Sequence, residues 1–163
     1  MQGVAKRTWA AQSIITAEEF DLVEAAAFAH DLGYAPGVNR TGFHALDGAV
    51  YLSGIGAPSR LCALVAHHSC AYLEAELRGM SANLAAWPDE GGIVRDILWW
   101  ADMTTAPDGT TTNVHDRIDE IQKRYGSEDL VTFFALQARP ELVAAVERTE
   151  ERLRLAGVDY TAK

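Results

Sequence analysis

Apolar residues recur at three- and four-residue spacing along almost the whole chain, which predicts helix after helix. Alternation of the kind a half-buried strand needs is not found. A short helix is expected over residues 2 to 12. Thr16-Ala17-Glu18-Glu19 reads as a capping box, with Thr16 capping the helix start and Glu19 reaching back. The helix it starts carries Phe20, Val23, Ala27 and Phe28 on one face. It is expected to end near Leu32, with Gly33 as a left-handed cap. A second long helix is expected from Thr41 or Gly42 to about Ser53. Pro58 suits the first turn of the next, which carries Leu61, Leu64 and Val65 and runs on through Tyr72, Leu73 and Leu77 to Gly79. The run Trp87-Pro88-Asp89-Glu90-Gly91-Gly92 interrupts the pattern. Ile93 to Met103 is apolar enough for a buried helix. Asn113 or Thr112 caps a helix bearing Ile118, Ile121 and Tyr125, and Ser127 caps a last helical region to Leu155 that contains Pro140. The expectation is an all-α fold, a compact bundle of five to seven helices forming one domain over residues 1–163.

Composition narrows the function classes. The chain has 163 residues, 48% hydrophobic and 23% charged, with a formal net charge of -9. Broad binding to a nucleic-acid polymer needs a basic face, so that partner is not expected. An acidic chain also repels anions at long range, so phosphate chemistry would need a local positive charge such as a bound metal. No apolar run is long enough to span a membrane. The cysteines, Cys62 and Cys70, lack metal-type spacing. They read as buried free thiols of a cytoplasmic protein rather than a disulfide framework.

The histidines and two aspartates then stand out. His30-Asp31 closes the apolar run Ala25 to Ala29, His67-His68 follows Leu64-Val65-Ala66, and Asp102 follows Ile97 to Ala101. A charged group at the buried end of an apolar helix is costly unless it is paired or bound to a metal. Side chains from separate helices of a bundle can converge into such a site. Taken singly, each residue is more often a satisfied polar group, cap or turn. Adjacent helix positions also point about 100° apart, so which of His67 and His68 faces a site stays open. His115, beside Asp116, reads as a surface or capping residue. Trp99 and Trp100 read as core. Asp47, three positions after His44, is a candidate to orient its ring. Arg40, ahead of the same helix, is a candidate contact for a substrate phosphate.

The stretch Ala25 to Tyr34, an apolar helix ending in His30-Asp31-Leu32-Gly33, resembles the signature of HD-domain proteins. His44, His67-His68 and Asp102 resemble the later members of that family's ordered set, and the resemblance spans about residues 1 to 125. It implies an all-helical metal-dependent phosphohydrolase. The implied metal residues are His30, Asp31, His44, His67 or His68, and Asp102, with Asp31 bridging two ions. His30 and Asp102 would hold one ion, and His44 with His67 or His68 the other. Asp31, His44 and Asp102 are the implied catalytic residues. The family's first His is missing: none precedes His30, and Gln2 to Arg7 resembles the segment that follows it. That His is expected just before Met1, or else the ligand is absent.

The donor set of imidazoles and carboxylates suits one or two divalent transition ions, with iron or manganese favoured and zinc, cobalt or nickel next. It does not suit calcium. The expected substrate is a small phosphorylated molecule, a phosphomonoester or phosphoanhydride such as a nucleotide. Two other readings share these residues. One is a di-iron oxygenase of HD type acting on a small substrate. The other is a non-catalytic metal-binding protein that lacks the first ligand.

Overall fold

The computed structural model describes residues 2–161, and these are all-helical. An isolated bridge between Thr105 and Thr111 is the only β-type pairing among them. The helices are α1 (Gln2–Thr8), α2 (Ala17–Ala29), α3 (His44–Gly54), α4 (Ser59–Ala66), α5 (Ala71–Arg78), α6 (Ser81–Leu84), α7 (Gly92–Met103), α8 (Val114–Tyr125) and α9 (Leu130–Leu155). The count exceeds five to seven because short segments stand apart. α6 forms between the expected helix end at Gly79 and the break that starts at Trp87, and the stretch after Pro58 is two helices, not one.

The start of α2 follows its sequence. Thr16 Oγ1 accepts from the Glu19 N–H at 3.2 Å, and Glu19 Oε2 accepts from the Thr16 N–H at 3.0 Å. Two donors that the helix itself leaves unpaired are thereby satisfied. α8 is capped by Asn113, whose side chain accepts from the Asp116 N–H at 2.9 Å. α9 is capped by Asp129 rather than Ser127, and it continues through Pro140.

α7 is the centre of the molecule. Ile97, Leu98, Trp99 and Trp100 are fully buried, and α7 packs most extensively against α9, with α2 and α1 on other sides. Four consecutive buried residues cover all faces of the helix, as a helix enclosed by its neighbours requires. Trp99 Nε1 donates to the His67 carbonyl at 3.0 Å, which ties α7 to the end of α4. Burial of both tryptophans makes them core and closes them to nucleobase stacking.

One buried charge locks the α7–α9 contact. Asp96 is 1% exposed. It accepts from Arg148 at 2.7 and 2.8 Å and from Arg152 at 3.0 Å. Burial raises the Asp96 pKa, and the arginines outweigh it and hold the carboxyl below its ordinary value. Cys62 and Cys70 are buried free thiols. No helix among the described residues is long and apolar enough to cross a membrane.

Candidate metal centre

Two breaks in the helical pattern and the end of α7 build the site. The first follows α2. That helix ends at Ala29, His30 caps it, and a 3-10 turn spans Leu32–Tyr34. Gly33 is not a left-handed cap, for it is not among the glycines with positive φ. It is needed for a close approach instead. A Cβ at Gly33 would lie 1.9 Å from the His44 carbonyl oxygen. The bare backbone lets the turn after Asp31 press onto the first residue of α3, and so sets Asp31 beside His44.

The second break lies at the His-His pair. Ser69 and Cys70 have φ of 47° and 61°, the only non-glycine residues with positive φ among those described. Such backbone is costly for residues with a Cβ and persists where the surroundings over-determine it. It splits α4 from α5, and the two histidines part at His67, where the backbone leaves α4 at φ of -110° and ψ of 15°. His68 points into the site. His67 turns the other way, with its Nε2 donating to the Trp87 carbonyl at 2.8 Å. The third element is the last turn of α7, which brings Asp102.

The structure gathers His30, Asp31, His44, His68 and Asp102. His44 Nε2 and His68 Nε2 are 3.0 Å apart. His44 Nε2 is 3.9 Å from Asp31 Oδ1. His30 Nε2 is 3.3 Å from Asp31 Oδ2 and 3.7 Å from Asp102 Oδ1. Asp31 therefore offers one oxygen to each histidine. Ligand atoms of Asp31, His44 and His68 all lie within 4.8 Å of one another, a group that could hold a metal ion. Donors at about 2.0–2.2 Å from an ion sit roughly 3–4.4 Å apart, so small side-chain shifts complete the fit.

The tautomers support this. His30 Nδ1 is 2.8 Å from the Ala27 carbonyl and His68 Nδ1 is 2.6 Å from the Val65 carbonyl. A carbonyl only accepts, so each Nδ1 carries a proton, and each ring, when neutral, turns an Nε2 lone pair into the site. A lone pair on His68 faces His44, and a lone pair on His30 faces two carboxylates. Only a proton or a metal between them makes that arrangement favourable. Without metal, protons serve. Burial lowers the His30 pKa, but the hydrogen bond to Asp31 and the charge of Asp102 outweigh it and raise it to about 9. Burial opposes ionisation of Asp31 too, and His30 outweighs it, so its pKa lies well below the usual carboxylate range. Burial and then the neighbouring His68 lower the pKa of His44. Burial and then His30 lower that of His68. These two are neutral donors at pH 7, the state a metal needs.

Other candidates fall elsewhere. Arg40 is exposed and lines neither cavity at the cluster. Among the described residues the hydrogen bonds of the Asp47 carboxylate go to Arg40 and Thr41 and not to His44. This buried carboxylate accepts from the Arg40 N–H at 2.9 Å and from the Thr41 N–H and hydroxyl at 2.9 and 3.0 Å, fixing the loop before α3. His115 is exposed. Thr104 and Thr105 donate to the carbonyls of Trp100 and Ala101, both at 2.7 Å, rather than to Asp102.

Residues the sequence did not single out complete the surroundings. Ser69 Oγ donates to Asp102 Oδ2 at 2.6 Å and leaves Oδ1 toward His30. Tyr34 stacks on the His44 ring, with centroids 4.2 Å apart and planes 12° from parallel. One cavity opens on Asp31, His44 and His68 and runs between α5, α8 and α9. Another opens on His30, Asp31 and Asp102 and is lined by Gln2, Gly3 and Val4 of α1. Neither a serine at left-handed φ nor a cavity wall from distant helices leaves a local sequence signal. Comparison with protein-family models, with curated proteins and with solved structures finds no match.

Proposed function

We propose that the chain is a metal-dependent phosphohydrolase of HD type, acting on a small phosphomonoester or phosphoanhydride. The observation that carries this is the carboxylate of Asp31, with Oδ1 toward His44 and Oδ2 toward His30. A carboxylate so placed, with one oxygen toward the Nε2 atom of each ring, suits the bridge of a two-metal centre once a metal displaces the His30 proton. His44 and His68 would hold one ion and His30 with Asp102 the other, each sharing Asp31. The mixed nitrogen and oxygen set favours iron or manganese, with zinc, cobalt or nickel able to substitute. Such ions, when bound, act as Lewis acids toward phosphoryl oxygens and lower the pKa of water to roughly 7.

The protein's own residues supply the rest. Ala27 and Val65 carbonyls fix the ring orientations of His30 and His68, and Ser69 fixes Asp102. Held donors lower the reorganisation needed when charge develops on the phosphoryl group. The test is phosphate release from a panel of phosphomonoesters and nucleotides by manganese-loaded protein under nitrogen. Activity that Asp31→Ala abolishes supports the reading. Activity that survives Asp31→Ala sinks it. Turnover that requires iron and consumes oxygen would replace it with the di-iron oxygenase, which uses the same donors.

A further inference from the structure

The two cavities at the cluster share three lining residues, Asp31, Asp102 and Arg117. Two of these are acids of the site. The third is a guanidinium from α8. Arg117 is the one Lys or Arg that lines both cavities. Its side chain is 15% exposed. Among the described residues its ion-pair partner is Glu120, one turn along α8. Neither Asp31 nor Asp102 takes it as an ion pair.

Its Nε is buried and has no hydrogen-bond partner among the described residues. A buried donor left unpaired is unfavourable by about 1–3 kcal/mol, so a turn of the guanidinium that gives this Nε an acceptor would be favoured. Guanidinium groups match phosphate oxygens in paired, charge-assisted hydrogen bonds. Glu120 is not stranded if Arg117 turns toward such a ligand, because Arg124 Nε also donates to Glu120 at 2.8 Å.

We propose that Arg117 binds the phosphoryl group of the substrate at the junction of the two cavities, a role for which Arg40 is too exposed and lines neither cavity. This rests on the phosphohydrolase reading and assigns it a substrate-binding residue. Arg117 supplies the fixed positive charge that lets a chain of net charge -9 accept an anion beside two aspartates. Glu120 keeps the guanidinium over the site before the ligand arrives.

The probe is inorganic phosphate, titrated calorimetrically into manganese-loaded wild type, Arg117→Ala and Arg117→Lys, with metal content and melting temperature recorded for each. The expected result is wild-type binding that weakens about tenfold or more in Arg117→Ala at unchanged metal content. Arg117→Lys should fall between, since it keeps the charge and loses the fork. If Arg117→Ala does not fold, Arg117→Lys and Arg117→Met decide. Phosphate affinity within twofold of wild type in the folded variants overturns the assignment of Arg117 and leaves the hydrolase reading standing. A loss that merely follows loss of metal overturns it as well. Wild type that binds manganese but no phosphate overturns both.

Discussion

Gly33→Ala should damage both the fold and the metal site. The added Cβ would lie 1.9 Å from the His44 carbonyl oxygen, with the His44 Cα and carbonyl carbon each at 2.6 Å. These are backbone atoms, so no rotamer change relieves the clash. Normal contact begins near 3.5 Å, so the turn and α3 must separate by roughly 1.5 Å. Alanine at a compatible loop glycine would stabilise by about 0.4–1 kcal/mol through the unfolded chain. Forced displacement in a packed interior typically costs about 1–3 kcal/mol, more where backbone must move. The clash wins, and a net loss of about 1–2 kcal/mol is expected, more if the backbone cannot relax. The same separation pulls Asp31 from His44, so metal affinity should fall in parallel. Urea denaturation of metal-free protein measures the first effect and metal titration the second. A stability change under about 0.5 kcal/mol with unaltered metal affinity would refute the close-approach argument.

Three further outcomes are expected. His68→Ala should abolish metal binding, while His67→Ala should keep it and lower stability by about 1–3 kcal/mol through the lost Trp87 contact; metal content of the two variants side by side decides, and equal effects would contradict the parting of the pair. Ser69→Ala should weaken metal binding by about tenfold at unchanged stoichiometry, because Asp102 loses the partner that orients it; competition titration with a chromogenic chelator reads this, and affinity equal to wild type would remove Ser69 from the site. Asp96→Asn should destabilise the protein by about 2 kcal/mol at pH 7, since charge-assisted bonds to Arg148 and Arg152 are weakened. The folded pKa of Asp96 is lowered, so its contribution is present above the unfolded value of about 3.9 and fades as pH falls through the folded one. The stability gap between wild type and Asp96→Asn should therefore narrow below pH 4 in urea melts, and a constant gap would contradict the ion-pair account.

Much of the fold was legible because helical periodicity and caps are local. Thr16 with Glu19 marks a helix start that the structure reproduces, and of the two caps the sequence offers for α8, Asn113 or Thr112, the structure uses Asn113. The apolar run through Trp99 and Trp100 marks the central helix. The break between α4 and α5 was hidden, since nothing in Ala66-His67-His68-Ser69-Cys70 breaks a helix locally. Tertiary contacts impose it, including the Trp99 bond to the His67 carbonyl and the Ser69 bond to Asp102. For the same reason the sequence left His67 and His68 undivided. Local spacing points to a cap at Gly33, yet the need for glycine there lies on α3. Asp47 was set by helical spacing to serve His44, but its carboxylate found nearer donors in the loop before it. Arg117 lies 86 positions after Asp31, and only the packing of α8 across the cavity brings the two together.

The central claim is that Asp31, His44 and His68 hold a transition-metal ion. Elemental mass spectrometry on protein purified without chelators or a metal-affinity tag, before and after reconstitution, tests it directly. The account predicts at least one iron, manganese or related ion per chain in wild type and none at this site in His68→Ala. Wild type that stays metal-free after reconstitution, or that binds no more metal than His68→Ala, would contradict it.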